Sequence, residues 1–190
     1  MAFPRSGTVD TQTFSGTKDF LYATISASQS SNIGSGDHLK FDTISVSRPQ
    51  LTSLVTGAAG GAAVTLDTAT SYVNTNGTAS IGRFTLRGGK VYKIDASPGY
   101  ILFSTAAGLV ILQWADVTGT PVLLGSPLQF LAYTSSTNDF ADGDLSLIYQ
   151  PGGGQNDQAL LELRIIGAPT NLTSFGSTTK GLPTVLIETF

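Results

Sequence analysis

At 190 residues, with 41% hydrophobic and 12% charged side chains, the chain can bury the core of one sizeable domain, and its charge is about half the ~25% usual in soluble domains. A net charge of −3 with no basic run argues against a nucleic-acid partner, and the absence of cysteine excludes a disulfide scaffold and a thiolate nucleophile. Low charge with many Gly, Ser and Thr implies a surface of hydroxyls and backbone, much of it suited to cover by other subunits.

The opening MAFPRSGTVDTQ has no apolar run and does not read as a signal peptide, and no stretch approaches the ~18 apolar residues of a membrane span. Residues 1–19 are polar and irregular, with Pro4, Gly7 and Gly16, and read as an N-terminal arm ahead of one domain over 20–190. Strand-like runs follow: FLYATISAS (20–28), HLKFDTISVS (38–47), QLTSLVT (50–56) and AAVTLDT (62–68). In GRFTLRGGKVYKIDAS (82–97), Phe84 and Leu86 alternate with Arg83, Thr85 and Arg87. Tyr92, Ile94 and Ala96 then alternate with Lys93 and Asp95, and Gly88-Gly89 lies between the two runs. Period-2 alternation about a Gly-Gly turn predicts a β-hairpin. Further runs are YILFST (100–105), LVILQWADV (109–117), PVLLGS (121–126), QFLAYTS (129–135), DLSLIYQ (144–150), ALLELRIIG (159–167) and TVLIETF (184–190). The separators are turn formers such as SSNIGSGD, NTNGT, NDFADGD and PGGGQND.

ALLELRII is the best candidate for a helix, but it is short, ends at Gly167 and fits a strand by alternation of Leu161, Leu163 and Ile165. Many short strands with Gly-rich turns indicate an all-β sandwich or barrel. In LVILQW both faces are apolar, with Leu109, Ile111 and Gln113 on one and Val110, Leu112 and Trp114 on the other. Such a strand needs cover on both sides: the core on one, and a neighbouring subunit or an overlying loop on the other.

The stretch 82–97 resembles the hallmark of the tumour-necrosis-factor and complement globular-head jelly rolls, G-x-F-T-(L/V)-x-x-G-x-Y-x-(I/F)-x-A. The matching positions are Gly82, Phe84, Thr85, Leu86, Gly89, Tyr92, Ile94 and Ala96. YATISASQSSNIGSGDHLKFD stands where that family has its first strand, polar loop and following strand, and PTVLIETF where it closes its inner sheet. The resemblance implies a two-sheet jelly-roll sandwich that assembles as a homotrimer, with inner-sheet apolar and aromatic side chains about a threefold axis. The part from GYILFST onward also looks like trimeric jelly-roll proteins on tailed bacteriophage particles, which serve as capsid decoration (cement) proteins or fibre tips. The chain departs from the animal branches in showing no signal peptide, collagen-like stalk, membrane anchor or cysteine.

Catalytic chemistry finds little to work with. The one histidine, His38, lies in the loop SGDHLKF and reads as a surface residue, and no G-x-S-x-G elbow is present. The chain is therefore expected not to be an enzyme. Asn138, Asp139, Asp142 and Asp144 form an oxygen-rich cluster of the kind that holds calcium, without the spacing of an EF-hand; turn formation is the preferred reading, as it is for Asp157. No metal or cofactor is expected. The sequons at Asn76 and Asn171 carry little weight without a secretory route, and Asn76-Gly77 reads as a turn. Trp114, Phe103, Phe130, Tyr133 and Tyr149 offer a sugar platform on paper, but on alternating strands they read as core or interface.

These readings converge on a phage capsid decoration protein: a homotrimer clamping assembled shell subunits, made in the host bacterial cytoplasm and carried on the outer surface of the virion. The alternative is a fibre tip that contacts host glycans. Its expected partners are itself and the major capsid protein, with neither nucleic acid nor membrane. Tyr92, Leu112, Trp114, Tyr149, Leu161, Leu163 and Ile187 are the expected trimer-packing residues, and Phe3, Arg5, Phe14 and Phe20 the expected capsid contacts.

Overall fold

The computed structural model describes residues 19–48, 64–67, 72–73, 79–104, 108–132, 138–140, 143–152 and 157–190. Every helix or strand among them is a β-strand. In chain order these are β1 (Phe20–Thr24), β2 (Thr43–Arg48), β3 (Val64–Asp67), β4 (Tyr72–Val73), β5 (Ala79–Ser80), β6 (Arg83–Arg87), β7 (Tyr92–Ser97) and β8 (Tyr100–Phe103). Then come β9 (Gly108–Asp116), β10 (Val122–Ala132), β11 (Asn138–Phe140), β12 (Leu145–Tyr149), β13 (Gln158–Gly167), β14 (Leu172–Phe175) and β15 (Thr184–Thr189). The run QLTSLVT lies outside the described residues.

Two five-stranded sheets dominate, in the orders β12-β7-β15-β1-β2 and β10-β9-β13-β6-β3. Within them β1 pairs with β15, β6 with β13, β7 with β12 and β9 with β10, all antiparallel. These four pairs are nested, β1 with β15 outermost, then β6 with β13, β7 with β12 and β9 with β10 innermost, as when a long hairpin is rolled into two sheets. The nesting is consistent with the jelly-roll sandwich. β8, β11 and β14 make a small third sheet.

The burial rhythm follows the pleat, with buried and half-buried residues alternating through β7 and β15. Leu21, Ala23, Tyr92, Ile94, Val185 and Ile187 face the core from one sheet, and Phe84, Leu86, Val110, Leu112, Trp114, Leu161, Leu163 and Ile165 from the other. Phe84 ties the aromatics together, 5.5 Å from Phe41 and 6.1 Å from Trp114 between ring centroids. ALLELRII is strand β13.

The hairpin expectation for 82–97 is corrected. β6 and β7 do not pair with each other: β6 pairs with β3 and β13, and β7 with β12 and β15. Gly88-Gly89 carries the chain from one sheet to the other, and both strands turn apolar faces inward because they cover the same core from opposite sides. Tyr92 Oη donates to Arg87 O at 2.8 Å across this crossing, and burial pushes the phenol up to about 12. The expected runs PVLLGS and QFLAYTS also merge into one edge strand, β10, whose register shifts between Leu124 and Leu128. Pro127 is tolerated there because an edge strand at a bulge does not need its N–H.

Gly82 shows why glycine stands at the head of the 82–97 stretch. Its φ of 96° lies in the left-handed region, and a Cβ there would lie 2.6 Å from Phe41 N and 2.8 Å from Lys40 Cα. Both offending atoms are backbone, so the obstruction cannot swing away. Gly82→Ala is expected to cost about 3 kcal/mol, measurable as a lower midpoint in chemical denaturation.

Candidate functional site

Of the seven expected trimer residues, six are claimed by the core of their own chain. Tyr92, Leu112, Leu161, Leu163 and Ile187 are fully buried and Trp114 is 1% exposed, which leaves their side chains no surface to offer a neighbour. Apolar side chains on inward strand positions are covered by the opposite sheet. Tyr149 alone is half-exposed. Of the expected capsid contacts, Phe3, Arg5 and Phe14 lie outside the described residues, while Phe20 opens β1, half-buried and opposite Glu188 of β15.

The exposed aliphatic groups lie elsewhere, one of them, Val46 (54%), on β2 and most of the others on β10 and β12. Val122 (57%), Leu123 (46%) and Leu131 (49%) stand on β10, and Ile148 (72%) on β12. These are the end strands of their sheets and lie on the same side of the sandwich, where a Cβ on Gly125 would come within 3.2 Å of Leu147. Leu131 sits directly opposite Leu109 of β9, itself 40% exposed, so the two form a cross-strand apolar pair on the outer face. The sequence reading placed Leu109 correctly on a second apolar face of β9. Part of that face is covered from within, because Gln113 is buried and donates Nε2–H to Gly125 O at 2.6 Å.

At the same edge Tyr149 of β12 donates to Asp116 Oδ2 of β9 at 2.5 Å and links the two sheets. Thr118 donates to Asp116 Oδ1 through its N–H (2.9 Å) and hydroxyl (2.6 Å). Burial works to raise the Asp116 carboxyl, but the bonds from Thr118 and Tyr149 outweigh it and hold the group below its ordinary value. Burial and then the Asp116 bond raise the Tyr149 phenol. A lowered carboxyl stabilises the fold above the unfolded value of ~3.9, and that stability is lost as pH falls through the folded value. Tyr149→Phe is expected to cost about 1 kcal/mol at pH 7, after allowance for exposure, and to shrink the acid-side loss. Urea unfolding of both proteins at pH 7 and pH 3 checks it.

The surface-loop reading of His38 is corrected: the side chain is 1% exposed. Its Nε2–H donates to Ile81 O at 2.8 Å, and its Nδ1 lies 3.7 Å from Glu162 Oε2. Glu162, fully buried on β13, accepts two contacts from Arg164, at 2.6 Å from Nη2 and 2.8 Å from Nε. Arg83 Nε of β6 lies 3.7 Å from its other oxygen. Sequence reasoning missed this cluster. The signal was a lone acid between Leu161 and Leu163, followed by Arg164, in an otherwise apolar run.

The remaining candidates scatter. Phe103 (2%) and Phe130 (9%) are buried with Trp114, and Tyr133 lies outside the described residues, so no sugar platform is assembled from them. Asp142 and Asn76 lie outside the described residues, Asp139 falls in β11, and Asp144 and Asp157 are exposed. Among the described residues no group of three His, Cys, Asp or Glu is placed to hold a metal ion. Asn171 is half-buried in the turn before β14, its carbonyl accepting from Ser104 N at 2.8 Å.

No family model matches the chain, and no curated protein matches it. Among solved structures the chain is similar to the globular domain of a zebrafish complement 1qA protein, at 11% identity and a TM-score of 0.41, over 91% of this chain and 96% of that one.

Proposed function

We propose that the chain is a non-catalytic structural protein that forms a homotrimer and decorates the outer surface of a bacteriophage capsid. The observation that carries this reading is the apolar edge: Val122, Leu123, Leu131 and Ile148, each 46% exposed or more, on the neighbouring end strands of a sandwich whose core is already filled. Exposed aliphatic groups along two neighbouring end strands offer a contact surface for protein. The low charge of the whole chain points the same way. The setting rests on the sequence from GYILFST onward, which looks like trimeric jelly rolls on phage particles. The mechanism is non-covalent. A trimer that binds only the assembled shell stabilises it by mass action, with residues 1–19 reaching the capsid subunits. The alternative is a fibre tip that contacts host glycans through its outer loops.

The contact surface is tested by size. At micromolar concentration, light scattering should give three times the 19.7 kDa chain mass. The paired change Leu131→Lys with Ile148→Lys should reduce it to one chain mass and alter monomer stability by no more than about 0.5 kcal/mol per site. A variant that remains trimeric would move the contact to another face.

A further inference from the structure

Residues 36–39 act as a strand on the side of β13 that β9 does not cover, beyond the reach of β6. β6 covers β13 only from Gln158 to Leu161. Beyond it, Gly36 N–H donates to Ile165 O (2.8 Å), Ile165 N–H to Asp37 O (2.8 Å) and Leu39 N–H to Leu163 O (2.9 Å). Gln29 braces the segment from behind, donating Nε2–H to His38 O at 3.0 Å and accepting from Lys40 N–H at 2.9 Å. The His38 ring stands at the centre, fixed to Ile81 O on one side and facing the Glu162 carboxylate on the other.

We propose that His38 is an acid-sensitive latch, whose protonation frees residues 36–39 from β13 while the sandwich stays folded, with Gln29 still bridged to Phe175 of β14. The charges around the ring set the direction. β13 contributes Glu162 and Arg164, β6 contributes Arg83, and the segment itself contributes Lys40 and Asp37. Asp37 is engaged locally, accepting from Gly34 N–H at 2.9 Å. Burial lowers the His38 imidazole below its ordinary 6.5, more strongly than Glu162 raises it. Protonation therefore puts a third cation beside one carboxylate that two arginines already share, in a site without water's screening. Opening the segment returns the ring to water. Between the lowered value and about 6.5 the closed form holds fewer protons than the open form. Closure is thus favoured above that window and weakens as pH falls through it, by up to tenfold in the opening equilibrium per pH unit.

Two measurements on the whole chain test this. As the chain's one histidine, His38 gives a single imidazole titration by NMR, expected below 6.5. Amide exchange, expressed as protection factors, should show Gly36, Leu39 and Ile165 losing protection between pH 7.5 and 5 while β15 amides keep theirs. In His38→Gln the same amides should show no such fall. The latch is overturned by a His38 value at or above 6.5, by pH-independent protection, by a parallel loss in β15, or by an unchanged fall in the variant. If His38→Gln does not fold, the two wild-type readouts decide.

Discussion

Trp114→Ala is expected to lower the unfolding free energy by about 3–5 kcal/mol while leaving self-association intact wherever the variant is folded. The indole is 1% exposed, meets Phe84 nearly edge-on at 6.1 Å, and stands in register between Leu124 of β10 and Leu163 of β13. Among the described residues its Nε1 has no hydrogen-bond partner, so the loss is one of packing. A typical domain has 5–15 kcal/mol in hand, so the variant would sit close to the unfolding threshold. A tryptophan at a subunit contact would behave in the opposite way, keeping the fold and losing the oligomer. Denaturant midpoints at fixed protein concentration, read beside light scattering, separate the two cases. Trp114→Phe should cost markedly less than the alanine variant.

Glu162→Gln ranks next. It leaves Arg164 and Arg83, 12% and 13% exposed, facing an amide where a buried carboxylate held them. Removing one member of a buried ion cluster costs about 3–5 kcal/mol, and the partial exposure of the arginines puts this case at the lower end. Replacing Glu162 and Arg164 together by leucine and methionine should recover part of the loss, since no strongly paired charge is then stranded. A single variant as stable as the wild type would show that the cluster contributes no net stability.

The sequence made the strands and their inward faces legible, because period-2 alternation reports which side of a strand is covered. It does not report which strand lies alongside, and the arch at Gly88-Gly89 therefore read as a hairpin. Alternation also cannot tell a core from a subunit contact, since both select the same side chains. Leu112, Trp114, Leu161 and Leu163 suit a trimer axis by alternation, and the opposite sheet covers all four within the chain. The groups left for a neighbour are the ones the alternation discounts, such as Leu131 and Ile148. The burial of His38 is illegible in the sequence for a different reason. Its burial depends on β13, far along the chain, having an uncovered length beyond Leu161, which no local pattern around SGDHLKF records.

Copy number decides whether trimers of this chain decorate a capsid. The chain is quantified against the major capsid protein in purified particles. A ratio approaching one per capsid subunit is the expected result. A few trimers per particle, or no copies at all, would contradict it.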